Sequence, residues 1–211
     1  MDYRIITVEG NIGSGKTSLS KKLAAEYNAK LILESFADNP FLQKFFVKQK
    51  DYALGMEMFF MAERYEQLKE ELSNWELFEQ RVVIDYLFEK SLLYSKVNLD
   101  DAEYNLFQKI FNILNPKLPN SDLIIYLHSN TERLVTNIEK RGREFEKTVR
   151  KEYLQQIQEI YFEYFKQHPD NRILILEVSD ADFIQNDQHY NQIKELTRMQ
   201  HKPGIHHHKI G

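Results

Sequence analysis

The chain has 211 residues, a formal net charge of -4 and 42% hydrophobic residues, which is ordinary for a globular protein with one full core. Lysine and arginine form no block, whereas a duplex-binding surface normally carries a basic excess, so nucleic acid is not an expected partner. The absence of cysteine excludes disulfides, thiolate nucleophiles and cysteine-ligated metals.

No apolar run approaches the roughly 18 residues that a membrane span needs. The chain opens on YRIITVEG, without a charged and then apolar leader. These features predict a cytoplasmic protein with no membrane partner.

Apolar runs alternate with longer amphipathic stretches. Five short apolar runs predict buried strands at 4–8, 31–35, 81–85, 122–128 and 172–178. Helical spacing is found near 16–28, 39–47, 53–72, 86–95, 100–114, 131–141, 147–168 and 189–199. Continuous apolar strands separated by helices indicate a parallel sheet covered on both faces. The predicted fold is α/β, a three-layer sandwich with a five-stranded parallel sheet flanked by helices.

All of these elements lie within 1–199, which forms the predicted single domain. Proline and glycine break the remaining segment, 200–211, and predict a flexible tail. Its three consecutive histidines, His206, His207 and His208, are expected to be solvated rather than to bind a metal.

The first predicted strand runs into EGNIGSGKTS, which fits the P-loop pattern G-x-x-x-x-G-K-[ST] completely. The backbone N–H groups of such a loop bind phosphates, while Lys16 can reach the β and γ phosphates and Thr17 can ligate Mg²⁺. A tight glycine turn is the alternative, but a complete motif between strand and helix favours a nucleotide. The predicted ATP-binding residues here are Gly10, Asn11, Ile12, Gly13, Ser14, Gly15, Lys16, Thr17 and Ser18.

Two carboxylates lie at the ends of predicted strands, where a doubly wound sheet binds its ligands. Glu34 could accept a proton from a substrate hydroxyl, or could be a surface or helix-entry charge. Asp85 could hold the metal, the role that P-loop folds often give to a carboxylate at this place, or could cap a helix.

The stretch EKRGREFEK, residues 139–147, carries Lys140, Arg141 and Arg143 around one glycine. Such a stretch makes a poor helix and a good mobile lid, whose arginines could spread over a transferring phosphoryl group. A solvated charged turn is the alternative, and it would be preferred without the P-loop.

The predicted helix 53–72 places Glu57 and Arg64 on one face, with Phe60 beside them. A carboxylate and a guanidinium framed by aromatics could hydrogen-bond a heterocyclic base. The same residues could equally form a polar stripe on water, and the spacing does not decide between the two.

These pieces, in this order, resemble the deoxynucleoside kinase family from residue 4 to about residue 183. The segments that carry the resemblance are EGNIGSGKTS, LES with NPFLQKFF, FFVKQKDYALGMEMFFMAERYEQL, RGREFE with EYLQQIQEIYFEYF, and EVSDADF. The resemblance implies ATP and Mg²⁺ as cofactors, and a homodimer formed through helices such as 53–72 and 100–114.

The resemblance also implies residue roles. Glu34 would be the base towards the 5′-hydroxyl of the substrate, and Arg141 and Arg143 would be lid arginines that bind phosphate. Glu146 would approach the 3′-hydroxyl of the sugar. The residues that would close over the donor adenine are Asp182 and Phe183.

The chain departs from the family pattern at three places on the acceptor side. The acidic-Arg-Ser triplet is Asp85-Tyr86-Leu87 here, so the arginine is absent, and Lys90 is a candidate to supply its charge. The sugar-contacting tyrosine is Phe46. The base-reading glutamine is Glu57, while the arginine seven residues later is kept as Arg64.

The change from glutamine to Glu57 favours a purine substrate, with guanine first. Guanine presents two adjacent donors that suit an ionised carboxylate, and Arg64 could donate to its O6 or N7 atom. Adenine and cytosine present one donor on that edge, and an unmatched buried acceptor costs about 1–3 kcal/mol.

The sequence therefore predicts an ATP-dependent kinase that phosphorylates the 5′-hydroxyl of a deoxynucleoside in nucleotide salvage, with Glu34, Lys16, Arg141 and Arg143 as catalytic residues. The alternatives are a pyrimidine deoxynucleoside kinase, a nucleoside monophosphate kinase and a P-loop nucleotide switch. A monophosphate kinase needs a further cation, and a switch normally has its own glycine at the third strand.

Overall fold

The computed structural model describes residues 3–35, 39–73, 81–143, 146 and 148–211. Within these residues one sheet has the order β2-β3-β1-β4-β5-β6, and every neighbouring pair is parallel. Its strands are β1 (Ile5–Gly10), β2 (Lys30–Ile32), β3 (Val82–Ile84), β4 (Leu123–His128), β5 (Arg172–Glu177) and β6 (Gly204–Lys209). The predicted α/β fold with a parallel sheet is confirmed.

The helices connect the strands in chain order. They are α1 (Lys16–Tyr27), α2 (Leu42–Val47), α3 (Gln49–Leu72), α4 (Lys90–Asn98), α5 (Asp101–Leu114), α6 (Thr131–Arg141), α7 (Lys151–Gln167) and α8 (Asp187–Arg198). Side-chain caps explain several bounds, since Asp100, Asn130 and Asn186 each accept a hydrogen bond from a backbone N–H in the first turn of the helix that follows. The helix predicted from residue 86 starts only at Lys90.

The two faces of the sheet are covered by different helices. On one face, α1 and α8 pack through Leu19, Leu23 and Ile193 against strand residues such as Val8. On the other face, α3 and α5 cover β1 and β3, while α4 and α7 cover β4 and β5. Successive strand residues point to opposite faces, which is why strands covered on both faces have continuous apolar sequences.

The prediction of five strands is wrong, because the sheet has six. The additional strand, β6, comes from the segment that was expected to be a flexible tail, and it pairs with β5 over six residues. Three consecutive histidines give no apolar alternation, so the pattern that reveals a strand is missing there. Ile210, directly after β6, is 1% exposed and anchors the segment to the core.

The strand order fixes where a ligand can bind. From β1 the chain moves to one side of the sheet for β2 and β3, and then crosses to the other side for β4 and β5. A crevice opens at the carboxyl ends of the strands where the order reverses. The P-loop follows β1 at this point. None of the described helices is long and apolar enough to cross a membrane.

Candidate active site

The P-loop joins β1 to α1 and has the backbone geometry of a phosphate-binding loop. Gly15 precedes α1 with φ of 92°, in the left-handed region where only glycine is unstrained. A Cβ atom at Gly15 would lie 2.8 Å from Cζ of Phe183. The loop after β5 therefore packs directly on the P-loop.

Lys16 closes the loop on itself. Its Nζ atom donates to the carbonyl oxygens of Gly10 at 2.9 Å and Asn11 at 3.0 Å. Burial lowers the pKa of Lys16 to about 8, and the nearby charge of Lys90 adds to the effect. The ammonium group of Lys16 donates here to two neutral carbonyl oxygens, and phosphate oxygens would give it anionic partners.

Thr17 and Asp85 fit a magnesium ion. The Thr17 hydroxyl donates to Oδ2 of Asp85 at 2.7 Å, and Oδ1 of Asp85 accepts from the backbone N–H of Glu34 at 2.6 Å. Hydroxyl and carboxylate oxygens are ligands that Mg²⁺ takes, with water and phosphate oxygens completing its shell. No group of three or more acidic, histidine or cysteine side chains in the described part of the chain could hold a metal. A site with one carboxylate suits Mg²⁺ bound together with nucleotide phosphates.

Glu34 lies in a buried network with two cations. Its Oε1 atom accepts from Nε and Nη2 of Arg64 at 2.9 and 2.6 Å, and its Oε2 atom accepts from Nζ of Lys90 at 2.6 Å. The third nitrogen of Arg64 donates to the hydroxyl of Ser91 at 2.7 Å. Burial opposes ionisation of Glu34, but Lys90 and Arg64 outweigh it and lower its pKa to about 2. Glu34 is therefore a carboxylate at neutral pH.

Glu57 lies on the same face of α3 as Arg64 but in a different electrostatic environment. It is 1% exposed, and its Oε1 atom accepts from Nδ2 of Asn98 at 2.7 Å. Burial raises the pKa of Glu57 to about 7, against the smaller lowering effects of Asn98, Arg64 and Lys90. The carboxyl groups of Glu34 and Glu57 line one cavity but ionise in different pH ranges, Glu34 in acid and Glu57 near neutrality.

The predicted lid contributes three charged side chains. Glu146 is 5% exposed and accepts from Nε of Arg141 at 3.0 Å, from Nη2 of Arg141, and from Nη1 of Arg143 at 3.2 Å. Both arginines are therefore held next to the P-loop by one carboxylate.

Two cavities meet at the P-loop. The first, about 450 Å³, lies between the loop and the segment after β5 and includes Asp182 and Phe183 in its lining. The second, about 140 Å³, lies between α2, α3, α4 and the lid. We call them the donor cavity and the acceptor cavity. The residues that line both are Lys16, Thr17, Arg141 and Arg143.

Most of the predicted site residues come together around these cavities. The predicted substrate residues all line the acceptor cavity: Glu34, Phe46, Glu57, Phe60, Arg64, Asp85 and Glu146. Two predicted ATP residues use their side chains elsewhere, since Nδ2 of Asn11 donates to the carbonyl of Leu154 and Asp182 accepts from backbone N–H groups of its own loop.

Sequence reasoning missed two acceptor-side residues and left a third as a suggestion. Asn98 holds Glu57, and its Nδ2 atom also donates to the hydroxyl of Tyr153 at 3.2 Å. Lys90, suggested as a replacement for the missing arginine, does pair with Glu34. No local motif marks Asn98 and Tyr153, since they come together near Glu57 only through the packing of α4 against α3 and of α7 against α4.

Comparison with known proteins agrees with this geometry. The family model for deoxynucleoside kinases matches residues 6–200. Deoxyguanosine kinase of Bacillus subtilis is 33% identical over 192 residues, which cover 89% of this chain and 93% of that protein. Deoxyadenosine/deoxycytidine kinase of the same organism is 28% identical, with 92% and 89% covered. Deoxyadenosine kinase of Dictyostelium discoideum is 31% identical, with 90% and 77% covered.

Solved structures share the fold. Deoxyadenosine kinase from M. mycoides, solved with dCMP and a flexible dCDP, superposes with a TM-score of 0.78 at 23% identity, covering 92% of this chain and 100% of that chain. The same enzyme with bound dATP gives a TM-score of 0.77 at 21% identity, with 93% and 100% covered. With a family match over nearly its whole length, this chain belongs to the deoxynucleoside kinase family and is a phosphotransferase.

Proposed function

We propose that this enzyme transfers the γ-phosphoryl group of ATP to the 5′-hydroxyl of a purine deoxynucleoside, deoxyguanosine ahead of deoxyadenosine, in cytoplasmic nucleotide salvage. One observation carries the proposal: the donor and acceptor cavities meet at Lys16, Thr17, Arg141 and Arg143. These four side chains are suited to a phosphoryl group that passes from one cavity to the other. In-line transfer needs positioning and charge neutralisation at this junction.

Glu34 acts on the acceptor hydroxyl. With its pKa near 2, it is too weak a base to remove a proton from an alcohol before the reaction starts. It orients the 5′-hydroxyl, and it can accept the proton as bond formation to phosphorus makes the oxygen acidic. Lys90 and Arg64 hold the carboxylate in place for this role.

The junction residues act on the transferring group. Lys16 and the two lid arginines neutralise charge that develops on the phosphoryl oxygens. Arg141 and Arg143 would have to exchange Glu146 for phosphate, which frees Glu146 for the sugar. Thr17 and Asp85 would hold Mg²⁺, which when bound supplies further neutralisation of the phosphates.

The purine preference follows from Glu57, which lines the acceptor cavity. A carboxylate there matches the paired donors of guanine, as set out from the sequence. Arg64 was expected to donate to the same base; three of its five N–H groups bond to Glu34 and Ser91, which leaves it one N–H on each terminal nitrogen beside Glu57 in base selection. The relatives include kinases named for deoxyguanosine, for deoxyadenosine, and for deoxyadenosine and deoxycytidine.

The acceptor cavity favours a nucleoside over a nucleoside monophosphate. Arg64 and Lys90, which line it, are both paired with Glu34 at 2.6 Å. A monophosphate acceptor would need a cation of its own, and these two are committed to the carboxylate.

A homodimer through α3 and α5 is part of the proposal. Leu106 and Ile113 are seven residues apart, hence on one face of α5, and they are 52% and 64% exposed. Sedimentation of the purified protein tests this part separately from activity.

The experiment is an ATP-dependent phosphorylation assay with the four deoxynucleosides, their ribonucleoside counterparts and dGMP. We expect the highest kcat/KM with deoxyguanosine, then deoxyadenosine, and little turnover of dGMP. Glu57→Gln should move the preference away from guanine. Tight ATP binding without transfer to any acceptor would instead support a nucleotide switch.

A further inference from the structure

Asn98 determines how Glu57 meets a ligand. Its Nδ2 atom binds Oε1 of Glu57 at 2.7 Å, whereas Oε2 accepts no hydrogen bond from the described residues. Glu57 lines the acceptor cavity. The oxygen that lacks a donor is therefore the one available to a base, and it is also the one on which a proton would sit.

The amide of Asn98 is held in this orientation by both hydrogens of its nitrogen. One goes to Glu57 and the other to the hydroxyl of Tyr153 at 3.2 Å. Its Oδ1 atom is buried and has no partner within the described part of the chain. A buried unpaired oxygen is costly, so the two bonds on the nitrogen, one of them to a charged group, must outweigh it.

The groups around Glu57 leave both of its protonation states accessible. Arg64 on α3 and Lys90 on α4 favour the carboxylate, but both are paired with Glu34, whose own negative charge opposes it. Tyr153 of α7 faces Glu57 as a neutral phenol, because burial raises its pKa, as does the charge of Glu57. The remaining charged side chains that line the cavity are Lys16, Asp85, Arg141, Arg143 and Glu146.

The two protonation states match different bases. An ionised carboxylate accepts from both N1–H and the 2-amino group of guanine. A protonated carboxyl has one donor and one acceptor, which match N1 and the 6-amino group of adenine. With Asn98 on Oε1, the proton lies on Oε2 and points to N1, while Oε1 accepts from the 6-amino group. Cytosine presents the same acceptor and donor pair as adenine.

We propose that Asn98 is the positioning residue for Glu57, and that the pair selects guanine as a carboxylate and adenine as a carboxyl. The proton comes from solvent and returns to it. Base preference then shifts towards guanine as pH rises through neutrality. This inference rests on the proposed function, because it concerns the acceptor of the same reaction.

The first test is the ratio of kcat/KM for deoxyguanosine to that for deoxyadenosine from about pH 6 to about pH 8. The ratio cancels every pH effect on ATP, Mg²⁺, Lys16 and Glu34, because both substrates share them. We expect it to rise about tenfold to a hundredfold over this range. The ratio of deoxycytidine to deoxyadenosine should stay constant. A guanine-to-adenine ratio that is flat with pH overturns the inference.

Asn98 variants separate positioning from a merely structural role. Asn98→Ala removes a hydrogen bond that favours the carboxylate. The midpoint of the pH dependence of the guanine-to-adenine ratio should therefore move upwards by about one pH unit or more. Asn98→Asp has nearly the same shape and should move it further, because it adds a negative charge. If both variants reduce kcat/KM equally for all bases and leave the midpoint in place, Asn98 only supports the fold.

A binding measurement needs no variant and no turnover. Calorimetric titrations of the wild-type protein in two buffers of different ionisation enthalpy count the protons exchanged. At about pH 7, deoxyguanosine should release about half a proton and deoxyadenosine should take up about half a proton. No exchange with either ligand contradicts the inference. Turnover with a guanine-to-adenine ratio that does not change with pH would overturn the inference but not the proposed function. The expected proton exchange without any phosphoryl transfer would overturn the proposed function but not the inference.

Discussion

The donor and acceptor halves of the site are built in different ways. The donor half depends on backbone: glycine geometry, N–H groups at the start of α1, and the loop after β5 packed on Gly15. The acceptor half depends on side chains from the segments that follow β2 and β3, from several helices and from the lid, held together by Glu34 with its two cations and by Glu57 with Asn98. A backbone site tolerates little change and is recognised from a short motif. A side-chain site can change its substrate by a few substitutions, and this chain departs from the family pattern there.

The largest expected effect comes from the acceptor half. Glu34→Gln should lower kcat by about a thousandfold, because the hydroxyl loses its orienting carboxylate. ATP binding should change little, because the donor half does not use this side chain. Rapid-quench assays and ATP titrations measure the two effects. Glu195→Gln, an exposed position on α8, is the matched control. Near-normal turnover of Glu34→Gln would remove Glu34 from the mechanism.

A substitution in the donor half should instead act on ATP binding. Gly15→Ala puts a Cβ atom 2.8 Å from the Phe183 ring at a left-handed φ of 92°. Strain of about 1–3 kcal/mol should raise KM for ATP about tenfold to a hundredfold. Binding of deoxynucleosides should be unaffected. Gly142→Ala has a similar φ of 70°, but its Cβ atom would meet no atom of the described residues within 4 Å, so it separates backbone strain from the clash with Phe183. Equal effects of the two variants would contradict the role of Phe183.

Substitutions of Lys90 test whether this lysine supplies the charge of the arginine that the family has at the position of Tyr86. Lys90→Met removes the leading cause that lowers the pKa of Glu34, so this pKa should rise. Activity depends on the carboxylate and is lost as pH falls through its pKa, so the acid limb of kcat/KM should move to higher pH. At about pH 7 the loss should be small, because Arg64 still pairs with Glu34 and keeps it ionised. Lys90→Arg should return the acid limb to its original position. An unchanged acid limb in Lys90→Met would argue against this account.

The last expected effect is on stability rather than on turnover, and it concerns Glu57. Its pKa is about 7 when folded and 4.5 when free, so the folded state binds more protons between these values and stability falls as pH rises through this range. A pKa difference of this size lowers the free energy of unfolding by about 3 kcal/mol between acidic pH and a pH above neutrality. Glu57→Gln should therefore be more stable than wild type at about pH 8 and similar at about pH 5. Denaturant unfolding of both proteins at the two pH values measures this difference in stability. The same difference between Glu57→Gln and wild type at both pH values would be inconsistent with a raised pKa.

The same contrast explains what the sequence could predict. The core strands and the P-loop were predictable because continuous apolar runs and an eight-residue motif are local signals. The sixth strand was not, because GIHHHK has no apolar alternation. The Glu34–Lys90 and Glu57–Asn98 pairs join residues 56 and 41 positions apart, which no local pattern links. The partners of Arg64 differ from the expectation because Glu34 lies within its reach, which only the packing of β2 against α3 reveals.

The proposed reaction is tested most directly by transfer of the labelled γ-phosphoryl group from ATP to unlabelled deoxyguanosine by the wild-type protein. Labelled 5′-dGMP should be the main product, formed faster than the 5′-monophosphate of deoxycytidine or thymidine under the same conditions. No labelled nucleoside monophosphate from any deoxynucleoside, with ATP bound, would contradict it.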